Sequence, residues 1–401
     1  MARGARFSYG EVARRDVIRR SNLGLVLRHI RASGPCVRGR LVEDMGLPKA
    51  TVSTLVGELI DLGLLAEGGP ASVGAVGRPS PVVRLAGAGH LGVGVEIVPG
   101  GARAVALDLS GETAFDRSVA AAGGPDEVLD AVADLVGAAL GAGHVLGITV
   151  AAPGQIDWQT GVLGYSAPLG WSDVDLAGGI AARLPAGAPP VRADNDARLG
   201  AVGECARLGT ADLVYLTGGA GVGAGVVVGG EVLRGGLGFA GEIGHLPIGP
   251  AGRACPCGRS GCLELAASLP AFLDLAAPPD DAVHALAGPE RRVAELRARA
   301  RAGDPRVLAA VDAVAGVLGL GVSMLVDVLS PRAVALGGYF GAFAEWLVPG
   351  VRAVLAERAI AGQVAGLDLW ASGSGFAGPV TGAAQDALEP LFTDPAGVLS
   401  A

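Results

Sequence analysis

Residues 241–264 constrain the structure of this 401-residue chain more than any other stretch. They read GEIGHLPIGPAGRACPCGRSGCLE and bring four potential metal ligands into one short segment: His245, Cys255, Cys257 and Cys262. Three thiolates and one imidazole are the ligand set of a closed tetrahedral zinc site, and the glycines between the cysteines allow the chain to turn tightly. The spacing predicts one structural zinc ion per chain. The alternative is that the cysteines are only small buried apolar residues.

The composition predicts a large packed protein. Half of the residues are hydrophobic and 17% are charged, so wholesale disorder is not expected. The five cysteines are odd in number and three have metal-ligand spacing, which argues against a disulfide framework. The sequence shows neither an apolar signal core nor a stretch typical of a membrane span, so a cytoplasmic protein with no membrane partner is expected.

The charge of the chain is unevenly distributed. Residues 1–80 hold twelve Lys and Arg against seven Asp and Glu, a balance of +5, whereas the whole chain has a net charge of −8. A basic N-terminal segment joined to an acidic body predicts an anionic partner at one end only. A chance fluctuation of surface charge is the alternative.

The N-terminal segment has the pattern of a winged helix-turn-helix domain over residues 1–85. Helices are predicted at 22–32, 37–45 and 49–62, followed by a strand and a Gly/Pro-rich wing at 68–80. In this geometry the third helix enters the major groove of DNA, and a wing arginine can enter the minor groove. The alternative is a small helical domain that contacts proteins. The candidate DNA-contacting residues are Arg38, Lys49, Ala50, Thr51, Ser53, Thr54 and the wing residue Arg78.

The remainder of the chain predicts an α/β fold with glycine turns at the ends of strands, where ligands bind in such folds. The predicted segments are a strand pair within 91–120, a helix at 128–140, a strand at 145–150, a long loop at 151–171, a strand running into a helix at 191–204, a strand pair at 213–228, helices within 293–329, and a strand ending in a glycine turn at 330–338.

Several motifs in this body resemble the ROK family of repressors and sugar kinases. They are APG at 152–154, NDA at 195–197, GAGVGAG at 219–225, GEIGH at 241–245 and CPCGRSGCLE at 255–264, in that order after the helix-turn-helix. The resemblance implies an actin/hexokinase-like two-lobed domain over 86–401, with a structural zinc and a sugar pocket between the lobes. Lobe one is expected at about 86–200 plus the C-terminal helix, and lobe two at about 201–384.

The resemblance also implies which residues hold the sugar hydroxyls: Gly154, Asn195, Asp196, Glu242, His245 and Glu264. Carboxylates, an amide and an imidazole suit groups that both donate and accept hydrogen bonds. His245 is expected to bind zinc through one nitrogen and to face the sugar with the other. The alternatives are helix capping for Asn195 and Asp196, and solvated loop acids for the two glutamates.

The parts of the chain that match the phosphate loops of ROK kinases are altered. Asp196 matches the catalytic base of the kinases, but residues 96–100 read EIVPG where those kinases carry D-x-G-G-T. Glu96 replaces the aspartate, and Pro99 lacks the backbone N–H that such a loop offers to phosphate. Ala220 replaces the hydroxyl residue of the second phosphate turn. The sequence therefore predicts a regulator that is not an enzyme; the alternative is an ATP-dependent sugar kinase that uses Asp196 as its base.

These features together predict a sugar-responsive repressor of carbohydrate-metabolism genes. Its expected partners are double-stranded operator DNA, a sugar or sugar-phosphate effector, and further copies of itself in a homodimer or homotetramer. Control by a partner protein in place of a sugar is an alternative. Arg198 is a departure, because the kinases often have asparagine at the matching position.

Overall fold

The computed structural model describes residues 9–70, 81–87, 89–360 and 364–400. Within these residues the helices are α1 (Tyr9–Ser33), α2 (Arg38–Met45), α3 (Lys49–Asp61), α4 (Pro125–Leu140), α5 (Leu176–Ala181), α6 (Asp196–Leu208), α7 (Glu264–Ala267), α8 (Leu269–Ala276), α9 (Pro289–Arg301), α10 (Pro305–Leu329), α11 (Gly338–Ala342), α12 (Ala344–Arg358), α13 (Gly378–Thr393) and α14 (Pro395–Leu399). Short 3-10 helices span Ile243–His245, Ala282–Ala285 and Gly375–Ala377.

The strands are β1 (Cys36–Val37), β2 (Leu65–Pro70), β3 (Pro81–Leu85), β4 (His90–Val98), β5 (Gly101–Asp108), β6 (Thr113–Ala120), β7 (His144–Ala152), β8 (Gln155–Asp157), β9 (Val162–Ser166), β10 (Trp171–Asp175), β11 (Val191–Asn195), β12 (Leu213–Gly218), β13 (Val222–Val228), β14 (Glu231–Val232), β15 (Ala333–Gly337) and β16 (Asp368–Ala371).

The N-terminal part of the chain, called the head below, consists of α1 to α3 and a small antiparallel sheet in the order β1-β3-β2. Leu27 of α1 and Val56 of α3 are fully buried, since the helices place an apolar stripe every three to four residues. Gly46 ends α2 in the left-handed conformation and allows the tight turn before α3. The three helices and the small sheet of the predicted winged helix-turn-helix are confirmed, and most of the predicted wing, residues 71–80 with Arg78, lies outside the described residues.

Helix α1 begins at Tyr9, although the sequence predicted its start at residue 22. The prediction followed the apolar stripe that begins at Leu23. The preceding turns are rich in arginine, and the side chains described there, at 16–21, are exposed, Val17 and Ile18 among them, so they form no buried stripe that would reveal the helix.

Lobe one is built on a mixed sheet in the order β11-β7-β4-β5-β6, covered by α4 and α5. The parallel strands β4, β7 and β11 lie on one side, and β4, β5 and β6 form an antiparallel meander on the other. The predicted strand pair is β4 and β5. Strand β6 was not predicted, because most of its side chains are exposed and show no alternating apolar pattern.

The prediction of a long loop at 151–171 is wrong. The segment contains β8 and β9, which pair with β10 in a separate antiparallel sheet in the order β10-β9-β8. These strands have three to five residues and lie between glycines and prolines. Such short strands give little periodic signal in a sequence.

Lobe two is built on a sheet in the order β14-β13-β12-β15-β16 and on helices α8 to α12. Helix α10 is long and apolar enough, by length and composition, to span a membrane. It packs instead against α8 and α12, and Val314, Leu318 and Val322 are fully buried in the core of lobe two. Helix α10 is therefore the central helix of that core.

The glycine turn after β15 is required by packing. Gly338 has a left-handed backbone with φ of 54°, and its backbone bridges to Gly218 at the end of β12. A Cβ at Gly337 would collide with the ring of Tyr215, which is fully buried. These contacts account for both glycines without a bound ligand.

Helices α6 and α13 pack tightly against each other and join the body to the head. A Cβ at Gly382 of α13 would collide with the backbone of α6 at Leu199. Helix α13 also crosses β4, where a Cβ at Gly94 would collide with the backbone of α13. On its far side α13 contacts α1. The small residues let three elements approach at backbone distance.

Candidate functional site

A cavity of about 1320 Å³ lies between the two lobes. Lobe one contributes the β4–β5 turn and the start of β8, and lobe two contributes the β12–β13 turn and the cysteine segment. The six residues predicted to hold a sugar all line it: Gly154, Asn195, Asp196, Glu242, His245 and Glu264. The structure therefore brings together side chains that are more than one hundred positions apart in the sequence.

The four predicted metal ligands converge beside this cavity. The donor atoms of His245, Cys255, Cys257 and Cys262 lie within 4.8 Å of one another. Cys257 Sγ is 3.6 Å from Cys262 Sγ, and Cys255 Sγ is 3.8 Å from His245 Nδ1. In a tetrahedral zinc site with Zn–S bonds of about 2.3 Å, neighbouring donors lie roughly 3.6–3.8 Å apart. The donor set and its spacing therefore fit zinc.

The backbone of the cysteine segment explains why these side chains converge. The N–H of Cys255 donates to the carbonyl of Arg259 at 2.8 Å, and the N–H of Gly258 donates to the carbonyl of Cys255 at 3.0 Å. Gly258 and Gly261 have φ of 86° and 70°, which a residue with a side chain adopts only with strain. The resulting tight turn directs the cysteine side chains to one centre.

The Cys257 thiol has the properties of a metal ligand. Burial acts to raise its pKa, but hydrogen bonds from the Arg259 backbone and from the neighbouring thiols outweigh burial and lower the pKa to about 7. The thiolate is the form that binds metals.

His245 lies between the cysteine ligands and the cavity. Its Nδ1 faces Cys255, and its Nε2 lies 3.8 Å from Glu242 Oε2. Glu264 Oε1 lies 3.4 Å from the same Nδ1 and accepts a hydrogen bond of 3.0 Å from the Cys255 thiol. A metal on the Nδ1 side would fix the tautomer of the ring and leave Nε2 for the cavity.

Asn195 and Asp196 lie where β11 runs into α6. The Asn195 side chain caps α6 by accepting hydrogen bonds from the N–H groups of Ala197 and Arg198 at 3.0 and 3.1 Å. Its Nδ2 donates to the carbonyl of Gly154 at 3.1 Å. The capping alternative is therefore observed, and both residues also line the cavity.

The Asp196 carboxyl group has a perturbed acidity. Burial raises its pKa to about 6, a hydrogen bond from the N–H of Ala197 opposes this shift, and the negative charge of Glu242 adds to it. Near neutral pH the group is mostly ionised and accepts hydrogen bonds. It is poised to hold a hydroxyl or to receive its proton.

The other end of the cavity is lined by the two turns whose sequences were matched to kinase phosphate loops. Glu96 lies on β4, two residues before the strand ends at Val98, and burial followed by the Asp196 charge raises the pKa of Glu96 to about 8. Pro99 offers no N–H at the β4–β5 turn. At the β12–β13 turn, the N–H of Gly219 donates to the carbonyl of Gly221 at 2.9 Å, and Ala220 offers no hydroxyl.

The predicted DNA-contacting residues lie at the start of α3, apart from Arg38 and Arg78. Lys49, Ala50 and Thr54 are exposed, and Thr51 and Ser53 are partly exposed. Thr54 Oγ1 donates to the carbonyl of Ala50 at 3.0 Å, as a helix residue often does.

Arg38 has partners within the head. Its Nε donates to Glu67 Oε1 at 2.6 Å and one of its terminal nitrogens donates to the carbonyl of Ser53 at 3.3 Å. These bonds tie α2 to α3 and β2. A contact of Arg38 with DNA stays a prediction.

Three residues beside the cavity escaped the sequence analysis: Trp158, Asp194 and Arg234. They surround Arg198, which the sequence did single out. The spacing of Asp194 and Arg198, four positions apart across the start of a helix, is the one local signal from which the pair could have been predicted. Arg234 and Trp158 reach the pair only through the tertiary fold.

Comparison with known proteins identifies the family. The model of the ROK family matches residues 93–389. This chain belongs to the ROK family. Its body accordingly has the actin/hexokinase-like two-lobed fold, with the winged helix-turn-helix in front of it.

The similar ROK proteins include repressors and kinases. A putative xylose repressor from Caldicellulosiruptor sp. (strain Rt8B.4) is 29% identical over 363 residues, which are 86% of this chain and 90% of the relative. The xylose repressor of Bacillus subtilis (strain 168) is 28% identical over 81% of this chain and 84% of its own. A glucokinase from Halalkalibacterium halodurans (strain ATCC BAA-125 / DSM 18197 / FERM 7344 / JCM 9153 / C-125) is 35% identical over 48% of this chain and 61% of its own.

Solved structures show the same division. A ROK family transcriptional regulator described as a homologue of the E. coli MLC protein superposes with a TM-score of 0.75 at 24% identity, covering 96% of this chain and 100% of its own. A ROK glucokinase from Streptomyces griseus, solved with glucose and AMPPNP, has a TM-score of 0.65 at 27% identity and covers 75% of this chain and 99% of its own.

Proposed function

We propose that this chain is a sugar-responsive transcriptional regulator that represses carbohydrate-metabolism genes from the cytoplasm. The observation that carries the proposal is the presence, in one chain, of a winged helix-turn-helix head and a ROK cleft lined by hydroxyl-binding groups. The relatives named xylose repressors match most of the chain, whereas the Halalkalibacterium halodurans glucokinase matches about half of it.

The effector is held at the end of the cleft beside the cysteines. Asn195, Asp196, Glu242 and His245 bind the sugar hydroxyls, together with Glu264 and the backbone at Gly154. One zinc ion per chain, held by His245 and the three cysteines, supplies a rigid scaffold and takes no part in a reaction. A closed set of four protein ligands supports this structural role.

The cleft binds without phosphoryl transfer. That reaction depends on groups that position the phosphates and stabilise charge on them. Here Glu96 replaces the aspartate of the first phosphate loop by a longer acid, Pro99 removes a donor, and Ala220 lacks a hydroxyl. These three changes lie at one end of the cleft and leave the sugar end intact.

Helix α6 offers a short path from the cleft to the head. Its first residue, Asp196, lines the cleft, and the residue that ends it, Gly209, packs against α1. A Cβ at Gly209 would lie 3.0 Å from the backbone oxygen of Ala32. Helix α13 packs along α6 and also contacts α1, where Arg28 donates to the carbonyl of Phe392 at 2.7 Å.

The regulator acts as an oligomer on operator DNA. Two heads would place the N-terminal ends of their α3 helices in successive major grooves about 34 Å apart. Sugar binding shifts the arrangement of the heads only by its differential affinity for the two states, typically about 1–3 kcal/mol.

Fluorescence anisotropy with labelled DNA tests the proposal. We expect purified protein to prefer the DNA that flanks its own gene over scrambled DNA of equal length, with an affinity that falls as salt increases. A double variant, Lys49→Ala with Thr51→Ala, is expected to lose the preference for the flanking DNA over scrambled DNA. Equal affinity for both DNAs at moderate salt would overturn the regulator proposal.

An ATP-dependent sugar kinase is the second candidate, because Asp196 is in the cleft with a pKa of about 6, suited to a base. Coupled ADP-release assays across a panel of sugars decide between the two. Sustained turnover by the wild-type protein that disappears in Asp196→Asn would establish the kinase. We expect no sugar-dependent ADP release above background.

A further inference from the structure

Arg198 is nearly fully buried, with 3% of its side chain exposed, and it lies beside the sugar end of the cleft. One of its terminal nitrogens, Nη2, is 2.9 Å from Asp194 Oδ1 and donates to the carbonyl of Ile156 at 3.2 Å. The other, Nη1, donates to the carbonyl of Gly238. One side chain thus holds three partners from separate parts of the chain.

Two of these partners lie on segments that continue into opposite walls of the cleft. Ile156 lies on β8, two residues after Gly154, whose carbonyl accepts the hydrogen bond from Asn195. Gly238 lies in the segment that leads into Glu242. The guanidinium of Arg198 therefore connects the Gly154 wall to the Glu242 wall directly behind the predicted sugar contacts.

A second arginine, Arg234, binds the same Asp194 carboxylate. Arg234 Nη2 donates to Asp194 Oδ2 at 3.1 Å, so that Asp194 receives both arginines on its two oxygens. The guanidinium carbon of Arg234 lies 4.6 Å from the centre of the Trp158 ring, close enough for a cation–π interaction. Trp158 follows Ile156 by two positions, so this contact links the two walls again.

We propose that Arg198, with Asp194 and Arg234, is a positioning residue that sets the separation of the Gly154 and Glu242 walls and thereby the affinity for the effector. The proposal rests on the proposed function, because it assigns the residue to the sugar site. Arg198 does not itself touch the sugar. It fixes the positions from which Asn195 and Glu242 do.

The chemistry of arginine explains why this residue suits the position. A planar guanidinium presents five N–H donors in a fixed fork and remains charged at all accessible pH values. A lysine offers a single ammonium on a flexible stem. Its three N–H donors share one nitrogen, so they cannot span Asp194, Ile156 and Gly238 as the two terminal nitrogens of the guanidinium do. The replacement Arg198→Lys therefore keeps the charge and removes the geometry.

Isothermal titration of D-xylose and D-glucose into wild-type protein and Arg198→Lys tests the proposal. We expect the dissociation constant of the sugar bound by the wild type to rise about tenfold or more in the variant, with zinc content unchanged. The matched control is Arg207→Lys, on the same helix, where Arg207 pairs with the buried Glu204 at 2.6 Å. We expect the control to lose thermal stability without losing sugar affinity.

Arg234→Met keeps the test decisive if Arg198→Lys does not fold. Arg234 is partly exposed and its removal leaves the Arg198–Asp194 pair intact. We expect about threefold to tenfold weaker sugar binding, together with a changed emission of Trp158, because the cation over its ring is lost. A Trp158→Phe variant identifies that emission.

The outcomes distinguish a failure of the positioning role of Arg198 from a failure of the proposed function. Wild-type binding of a sugar with an unchanged dissociation constant in Arg198→Lys, or in Arg234→Met if only that variant folds, overturns the positioning role and leaves the proposed function standing. Equal losses of affinity in Arg198→Lys and the Arg207→Lys control also overturn it. Failure of the wild type to bind D-xylose, D-glucose or any member of a wider panel of sugars and sugar phosphates overturns the sugar-responsive part of the proposed function.

Discussion

The cleft has a proposed sugar end, at Asn195, Glu242 and His245, and an opposite phosphate end, at the turns of Pro99 and Ala220. Both ends are built on the same two sheets but are supported differently. At the sugar end, Asn195 is held by capping α6 and by Gly154, and His245 lies against the cysteine segment. At the phosphate end, the turn at Pro99 and the turn at Ala220 present few groups to a ligand. Glu96 lines the cleft there and is partly buried.

The proposed function implies that binding and catalysis are separable within one fold. Sugar recognition needs side chains in fixed positions, which come from strand ends, a helix cap and a metal-binding turn. Phosphoryl transfer needs backbone donors in glycine turns, and a few substitutions remove them. The same scaffold can therefore keep the first function after losing the second.

The largest expected effect comes from breaking the scaffold of the sugar end. Cys257→Ser removes one of four ligands, and structural zinc sites contribute up to about 10–16 kcal/mol of apparent binding free energy in small zinc peptides. We expect loss of the single zinc per chain, measured by plasma mass spectrometry, with loss of sugar binding and a marked fall in melting temperature. Ala220→Thr, at the phosphate end, is the matched change and is expected to alter none of these. A metal-free, fully stable Cys257→Ser protein would contradict the zinc assignment.

The next effect tests the sugar end alone. Asp196→Asn removes a charged acceptor, and hydrogen bonds to charged groups contribute about 1.5–3 kcal/mol, so sugar affinity should fall roughly tenfold to a hundredfold. Because the pKa of Asp196 is raised to about 6, wild-type affinity should also fall as the pH decreases through 6. Titration calorimetry at pH 5 and pH 7.5 measures the loss of affinity in Asp196→Asn and the pH dependence of the wild-type affinity. Asp134→Asn, an exposed change on α4, is the control; a pH-independent wild type would contradict the role of this carboxylate.

A smaller effect is expected at the phosphate end. The folded protein raises the pKa of Glu96 from 4.5 to about 8, so the folded state binds this proton more tightly than the unfolded state. The free energy of unfolding should therefore fall as pH rises from about 4.5 to 8. Glu96→Gln should remove this loss and be about 1–3 kcal/mol more stable than wild type at pH 9, with equal sugar affinity. Urea unfolding at pH 5 and pH 9 measures it; a Glu96→Gln protein that is less stable at pH 9 would show that the carboxylate is needed there.

The smallest effect concerns the link between the cleft and the head. Arg31 of α1 is 2.8 Å from Glu389 of α13 and lies 4.0 Å over the ring of Phe392. Arg31→Ala should keep sugar binding and DNA binding but reduce the effect of sugar on DNA affinity by a few-fold. Arg20→Ala, which removes an exposed pair with Asp394, is the control. Anisotropy titrations with and without sugar measure the ratio, and an unchanged ratio would exclude this contact from the coupling.

Local signals predicted the elements that carry the site. The apolar stripe of α3, the strand-to-helix junction at Asn195 and the spacing of the cysteine ligands depend on residues close in sequence, and the structure has α3, the junction and a clustered donor set. Periodicity and ligand spacing are physical constraints that act over a few residues. They were sufficient for these features.

The features that were missed depend on distant parts of the chain or lack a buried face. Strand β6 is mostly exposed, and β8 to β10 are too short to show a period. Asp194 and Arg234 are 40 positions apart and meet only after both lobes have formed. No local pattern encodes such a contact, so only the folded structure reveals that Arg198 and Arg234 bind the same carboxylate.

If the protein is a sugar-responsive repressor, sugar binding must change its affinity for operator DNA. Anisotropy of labelled operator DNA should be measured at fixed salt with and without saturating sugar, using wild-type protein and Asp196→Asn. We predict that sugar changes the dissociation constant of the wild-type protein for operator DNA about 5-fold to 150-fold. We expect Asp196→Asn to respond only at much higher sugar concentration. A wild-type protein that binds both operator and sugar, yet shows the same operator affinity in each condition, would contradict it.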